Sequence, residues 1–252
     1  MFEKRQADKN LIFGIHPVIE AIKSGKGLDK LYLQIGLKGE NFRELSKIVH
    51  DLKIPFQYVP IEKLNKISYH RNHQGAVAFL SVISYHEIEN IIPGIFESGE
   101  TPLILILDRI TDVRNFGAIC RTAECSGVHA VIIPSRGAAQ INSDAVKTSA
   151  GALHKISVCR SENMKATISF LKNSGLKIVS ATETGDKFYF ETSFKEPTAI
   201  ILGSEEDGIS DEYLSLSDEK IKIPLRGEIE SLNVSVAAGV ILYETVRQRS
   251  QK

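Results

Sequence analysis

The chain has few cysteines, no long apolar run and no glycine-rich nucleotide motif. Its 252 residues include three cysteines, Cys120, Cys125 and Cys159, an odd number with no CxxC pair. That pattern argues against both a disulfide framework and a cysteine-held zinc site. Reduced, buried thiols in a cytoplasmic protein are the expectation. No apolar stretch approaches the ~20 residues that span a bilayer, and the polar, mixed-charge residues 1–10 do not look like a secretory signal. The loop from Asp108 to Asn115 lacks GxGxxG, which speaks against a Rossmann-type oxidoreductase. Gly203-Ser-Glu-Glu-Asp-Gly208 has Walker A glycine spacing, but Ile209-Ser210 stands where Lys-Ser/Thr is needed. Its three consecutive carboxylates would repel a triphosphate.

Net charge is also absent, with 31 basic residues against 31 acidic, but its distribution is uneven. Residues 1–83 hold 13 Lys+Arg against 8 Asp+Glu, while 84–252 hold 18 against 23. The basic part also carries His16, His50, His70 and His73. A basic module on a neutral chain suits a polyanionic partner. Apolar content of 42% and charged content of 25% are those of an ordinary globular protein able to bury a core.

The N-terminal third reads as a small α/β unit. Ile15, Val18, Ile19 and Ile22 have helical spacing, ended by Gly25 and Gly27. LYLQI (31–35), FQYV (56–59) and GAVAFLSVI (75–83) read as strands, with a helix near 41–52. Residues 84–101, with Pro93, Gly94 and Gly99, read as a linker. From Pro102 onward, apolar strands at 103–108, 130–134, 156–159, 177–181, 198–203 and 220–224 alternate with helical patterns. This predicts a parallel sheet buried on both faces, with ligands beyond the carboxyl ends of its strands. The helix expected at 233–248 is apolar nearly all round, so it must be buried in the domain, in a dimer interface, or partly in each.

Three polar motifs follow strand ends. In Asn115-Phe-Gly-Ala-Ile-Cys-Arg121, Asn115 is placed to cap a helix and Arg121 lies off the core stripe. In Leu202-Gly203-Ser204-Glu205, the glycine admits a ligand to the backbone and Glu205 can accept hydrogen bonds. In the stretch from Ile223 to Ser235, a loop leads to Ser231 and Asn233, either of which can cap the last helix. Singly, each motif has a plain structural explanation: a cap, an acidic turn, or a surface salt bridge from Arg121 to Glu124.

Together, NFGAICRTA, IILGSEEDG and IPLRGEIESLNVSVAAGV resemble, in order and spacing, the three motifs of the SpoU/TrmH class of SPOUT RNA methyltransferases. GIHPVIEA (14–21) and HQGAVA (73–78) resemble the same family's accessory substrate-binding domain, which has an L30-like fold. The resemblance covers nearly the whole chain. It implies an α/β architecture: an N-terminal RNA-binding domain over 1–83, and a parallel-sheet catalytic domain over 102–252 tied in a deep trefoil knot. It further implies a homodimer through the catalytic domain and S-adenosylmethionine as methyl donor, with no metal and no DNA partner. By motif position, Leu202, Gly203, Ile223, Leu225 and Leu232 would surround the donor. Arg121, Asn115, Glu205, Ser231 and Asn233 would form the catalytic set. The family assigns the arginine matching Arg121 to activating a ribose 2′-hydroxyl. A guanidinium with a pKa above ~12 is a poor base, so binding an RNA phosphate and stabilising the alkoxide suits it better.

Members with this N-terminal domain most resemble the bacterial enzyme that methylates a guanosine in the peptidyl-transferase loop of 23S rRNA. A tRNA 2′-O-methyltransferase is the nearest rival. A non-catalytic ribosome assembly factor is the rival from another class, and the presence of Arg121, Glu205 and Asn233 together argues against it.

Overall fold

The computed structural model describes residues 10–251 apart from 53 and 140, so most of the N-terminal polar stretch lies outside it. The chain divides into two compact units, one ending at Ser84 and one beginning at Tyr85.

The first unit comprises β1 (Leu11–Phe13), α1 (Ile15–Lys23), β2 (Leu28–Gln34), α2 (Glu40–Asp51), β3 (Phe56–Val59), α3 (Ile61–Ile67) and β4 (Ala76–Leu80). Its sheet order is β1-β4-β2-β3. β4 runs antiparallel to β1 and β2, and β3 runs parallel to β2. The two-residue period of the strands decides which helix each side chain meets. Leu31, Leu33, Ala76 and Ala78 pack with Ile15, Val18, Ile19, Leu45 and Val49 from α1 and α2. The intervening Tyr32 and Val77 turn the other way, toward Leu64 of α3.

The second unit comprises β5 (Tyr85–His86), α4 (Ile88–Glu97), β6 (Leu103–Leu107), α5 (Val113–Cys125), β7 (Ala130–Pro134), α6 (Ser143–Thr148), β8 (Ser157–Ser161), α7 (Met164–Asn173), β9 (Lys177–Ala181), β10 (Lys187–Phe188), β11 (Thr198–Leu202), α8 (Asp211–Leu214), β12 (Glu219–Lys222) and α9 (Val234–Ser250). Its strands are paired in parallel in the order β10-β12-β9-β11-β6-β7-β8-β5. β6 and β11 are buried along their whole length, as central parallel strands covered on both faces must be. On one face Ile104, Ile106, Ile132, Ile178 and Ile201 pack with apolar residues of α4 and α7. Leu103, Leu105 and Leu107 point to the other side and are equally buried, and there α5 packs against α6 and α9.

Residues 84–101 are not a linker. Ile88, Ile92 and Ile95 of α4 are buried in the main core of the second unit, and β5 extends its sheet beside β8. Pro93 and Gly94, which suggest a break, sit inside the helix; the i, i+4, i+7 burial of the three isoleucines outweighs them. A chain beginning at Tyr85 retains this helix, whereas one beginning at Pro102 loses it. Each buried isoleucine contributes about 1.5–3 kcal/mol, against a total stability of about 5–15 kcal/mol for a typical domain. The shorter fragment is therefore expected to fail to unfold cooperatively, with the longer one giving a single transition by thermal circular dichroism. Equal melting of the two fragments would show that α4 adds nothing to the core.

The last helix is covered on one side only. Val234, Ala238, Ile241, Leu242 and Thr245 are buried, while Val236 and Tyr243 are more than half exposed. Polar groups fasten its C-terminal half. The Gln248 amide accepts from the Phe194 backbone N–H at 2.8 Å and donates to the Thr192 carbonyl at 2.9 Å. Arg249 donates to the carbonyls of Phe194, Thr101, Pro102 and Glu196, and its burial holds the guanidinium below its usual pKa.

Candidate active site

The parallel register brings four strand ends into line. Leu107, Leu202 and Ala181 are neighbours across β6, β11 and β9, and Ala181 pairs with Ile221 of β12. The segments leaving these strands therefore share one rim of the sheet, where open α/β folds place their ligands.

A cavity of about 640 Å³ opens along this rim, a volume suited to a nucleoside-sized ligand. Leu202, Gly203, Ile223, Leu225 and Leu232, the five residues expected around the donor, all line it, as do Glu205 and Ser231. Leu225 and Leu232 are each more than a third exposed. Apolar side chains left this open at a cavity wall suit the face of a flat ring.

One wall is the turn from Gly203 to Gly208. Ser204 and Gly208 exchange backbone hydrogen bonds of 3.1 and 3.0 Å, and the Ser204 hydroxyl accepts from the Asp207 N–H at 3.0 Å. A Cβ on Gly203 would lie 2.1 Å from the carbonyl carbon of Gly208. Only glycine allows the two limbs of this turn to approach so closely.

Glu205 emerges from that turn into a three-residue network. Its Oε1 accepts from Asn115 Nδ2 at 2.9 Å and from Asn233 Nδ2 at 2.7 Å. Asn233 Nδ2 also donates to Asn115 Oδ1 at 3.1 Å. One member of each motif thus meets in a single hydrogen-bonded cluster. Asn233 in addition caps α9, its Oδ1 accepting from the Ser235 N–H at 3.0 Å. The cap fixes the side chain that the cluster needs.

Asn115 does not cap α5. Asp112 does, accepting from the Arg114 and Asn115 N–H groups at 2.8 Å each. Asn115 lies in the first turn, free to turn its amide toward Glu205. Ser231 caps nothing and stands exposed at the cavity wall.

Arg121 stands apart. It is exposed, does not line the cavity, and has no hydrogen-bond or ion-pair partner among the described residues. Six residues beyond Asn115, it is turned about 120° around α5 and about 9 Å further along it. The simple alternative, a salt bridge to Glu124, is not formed; Glu124 pairs with Lys155 at 3.6 Å.

The segment after β9 belongs to none of the three motifs. Ala181, Thr182, Glu183 and Phe188 line the cavity, and a Cβ on Gly185 would lie 2.4 Å from the Ile221 backbone. The strand-end rule that points to residues 203 and 223 applies equally to 182, and Gly185 was the available signal. Among the described residues, no group of three or more His, Cys, Asp or Glu side chains is placed to hold a metal ion, and no helix is long and apolar enough to cross a membrane.

Residues 102–243 match the model of the SpoU rRNA Methylase family, and residues 11–85 match that of the RNA 2′-O ribose methyltransferase substrate-binding domain. YacO of Bacillus subtilis (strain 168), named as a TrmH family tRNA/rRNA methyltransferase, is 33% identical over 239 residues, covering 95% of this chain and 96% of its own. The SpoU methyltransferase AviRb of Streptomyces viridochromogenes, solved with AdoMet, superposes with a TM-score of 0.61 at 26% identity, over 96% of this chain and 91% of its own. The A. aeolicus TrmH/SpoU tRNA modifying enzyme is 31% identical with a TM-score of 0.56, over 65% of this chain and 85% of its own. The cavity beyond the strand ends, the clustered motifs and these matches lead to one conclusion: the chain belongs to the SpoU/TrmH family of S-adenosylmethionine-dependent RNA methyltransferases.

Proposed function

We propose that the protein methylates a ribose 2′-hydroxyl in RNA, that of a guanosine in the peptidyl-transferase loop of 23S rRNA. The observation that carries the ribose assignment is the Asn115–Glu205–Asn233 cluster, whose Glu205 lines the cavity. Its amides and carboxylate are groups that can hydrogen-bond the hydroxyls of a sugar. The match of residues 11–85 to a 2′-O ribose methyltransferase substrate-binding model supports it, and a required 2′-hydroxyl selects RNA over DNA.

The residues present fit the methyl donor. Gly203 keeps the wall of the cavity at backbone thickness, and Leu202, Ile223, Leu225 and Leu232 offer an apolar slot. When bound, S-adenosylmethionine supplies an activated methyl group, so the protein contributes chiefly position, worth up to ~7–11 kcal/mol in favourable cases. Asn115, Glu205 and Asn233, with Ser231 beside them, orient the ribose. Arg121 holds a phosphate of the RNA and stabilises negative charge developing on the hydroxyl oxygen. Proton loss is assisted by that phosphate.

Arg121 projects from α5 with no partner among the described residues, as a group awaiting RNA or a second subunit would. The exposed Val236 and Tyr243 of α9 support a homodimer through the catalytic unit. We read the C-terminal segments as knotted, as the resemblance to the family implies.

Ribosomal RNA is favoured over tRNA by the family description and by the N-terminal unit. The model matched by residues 102–243 is that of the SpoU rRNA Methylase family, and the tRNA modifying enzyme of A. aeolicus covers 65% of this chain. Mapping 2′-O-methyl groups in RNA from cells with and without the gene tests this directly. Loss of one guanosine methylation in 23S rRNA is expected; loss in tRNA alone would move the substrate to that class.

The N-terminal unit is read as the RNA-holding module, given its basic excess and its family match. A fragment beginning at Tyr85 is expected to bind substrate RNA at least ~10-fold more weakly, with a shallower salt dependence as phosphate contacts are lost. Equal affinity and salt slope by filter binding would remove that role.

A further inference from the structure

The turn that walls the cavity is held from outside by a residue that no motif includes. Arg109 stands two residues past the end of β6 and has φ +56°. That is the left-handed region, which side-chain-bearing residues rarely occupy and which glycine would fill without strain. Strain of this kind persists where surrounding contacts enforce it.

Those contacts are specific. Arg109 Nε donates to Asp108 Oδ1 at 3.1 Å and Nη2 donates to Asp108 Oδ2 at 3.3 Å. The same guanidinium reaches across to the turn, Nη1 to Asp207 Oδ2 at 3.1 Å and Nη2 to the Gly208 carbonyl at 3.3 Å. Asp108 is 2% exposed and grips the chain just beyond the same turn, its Oδ2 accepting from the Ser210 N–H at 2.8 Å and hydroxyl at 2.6 Å. One planar fork thus joins the end of β6 to both a side chain and a carbonyl of the 203–208 turn. A lysine has no such fork. The neighbouring carboxylate raises the Arg109 pKa above its usual value, so the fork is charged at any working pH.

We propose that Arg109 is a positioning residue: it clamps the Gly203–Gly208 turn through Asp207 and Gly208, and so sets the donor wall and the place of Glu205. This rests on the reading that the cavity takes S-adenosylmethionine. Arg109 itself touches neither the cavity nor the Asn115–Glu205–Asn233 cluster among the described contacts, so its effect passes entirely through the turn.

Three variants of the full-length protein test it: Arg109→Lys, Arg109→Gly and Asp207→Asn. Arg109→Lys keeps a cation beside buried Asp108 but cannot serve Asp108, Asp207 and Gly208 together. Its melting temperature is expected to stay within a few degrees of wild type, while donor Kd by calorimetry rises about 10-fold. Arg109→Gly relieves the backbone but removes the clamp, and should weaken donor binding at least as much. Asp207→Asn removes only the exposed arm and should weaken binding about threefold. In steady state, KM for the donor should rise with these factors while KM for RNA stays put. Hydrogen exchange supplies a readout independent of binding: the Ser204 and Gly208 amides should lose protection in the free Arg109→Lys protein. Wild-type donor affinity and unchanged protection in Arg109→Lys and Asp207→Asn would overturn the proposal. Lost protection with unchanged donor affinity would uphold the clamp and instead refute the assignment of the cavity to the donor.

Discussion

Replacing Arg121 by alanine is expected to abolish methyl transfer while leaving donor affinity within about twofold of wild type. Loss of a single preorganised donor to a developing oxyanion reduces kcat by about 10²–10³, and loss of a phosphate contact adds to that by misplacing the ribose. The donor cavity is untouched because Arg121 does not line it. Stability should be unchanged: the side chain is exposed and has no intramolecular partner among the described residues to abandon. The variant thus separates chemistry from binding and from folding in one protein. Arg121→Lys should recover a small part of the rate, since a point charge replaces a fork that can hold a phosphate in two bonds. Single-turnover assays with saturating donor provide the measurement. Substantial turnover by Arg121→Ala would sink the role given to this residue.

How much of this was legible beforehand differs from residue to residue. The sheet was legible because continuous apolar runs such as AVIIP and KIVSA have one economical fate, a strand buried on both faces; these two match β7 and β9 residue for residue. The cap of α5 was misread because Val113 and Arg114 add little to the apolar stripe, which begins at Phe116 and sets the helix start one turn late. Residues 84–101 read as a linker because proline and glycine are helix breakers in isolation, whereas the burial of this helix is decided by three isoleucines. The meeting of Asn115, Glu205 and Asn233 spans 90 and 118 residues. No local period encodes a contact of that separation, and only the resemblance to a family suggested it. Arg109 was invisible for a different reason. Its importance lies in a backbone angle and in a fork reaching the 203–208 turn, neither of which leaves a trace in sequence spacing.

The second large effect is expected at Gly203. A single methyl group there would sit 2.1 Å from the Gly208 carbonyl carbon and 2.3 Å from the Ile209 nitrogen. These are backbone atoms, so no rotamer change relieves the clash, and the paired hydrogen bonds between Ser204 and Gly208 must open. Overpacking of this kind costs about 1–3 kcal/mol, which is about 5- to 150-fold in donor affinity if it falls on the bound state. Gly208 provides the control on the same turn. Its φ is +64°, and a Cβ there meets nothing within 4 Å, so Gly208→Ala bears only the conformational penalty of the left-handed region, about 1 kcal/mol. Gly203→Ala should therefore weaken donor binding far more than Gly208→Ala, although Gly208 is the glycine with the unusual backbone. The Glu205 carboxylate travels with the turn, so Gly203→Ala should also lower kcat at saturating donor, by loosening the Asn115–Glu205–Asn233 cluster. Calorimetric Kd values for the two alanine variants, read beside their melting temperatures, decide it. The reverse order, with Gly208→Ala the more damaging, would mean that the turn's conformation governs the site and that the close approach at Gly203 does not.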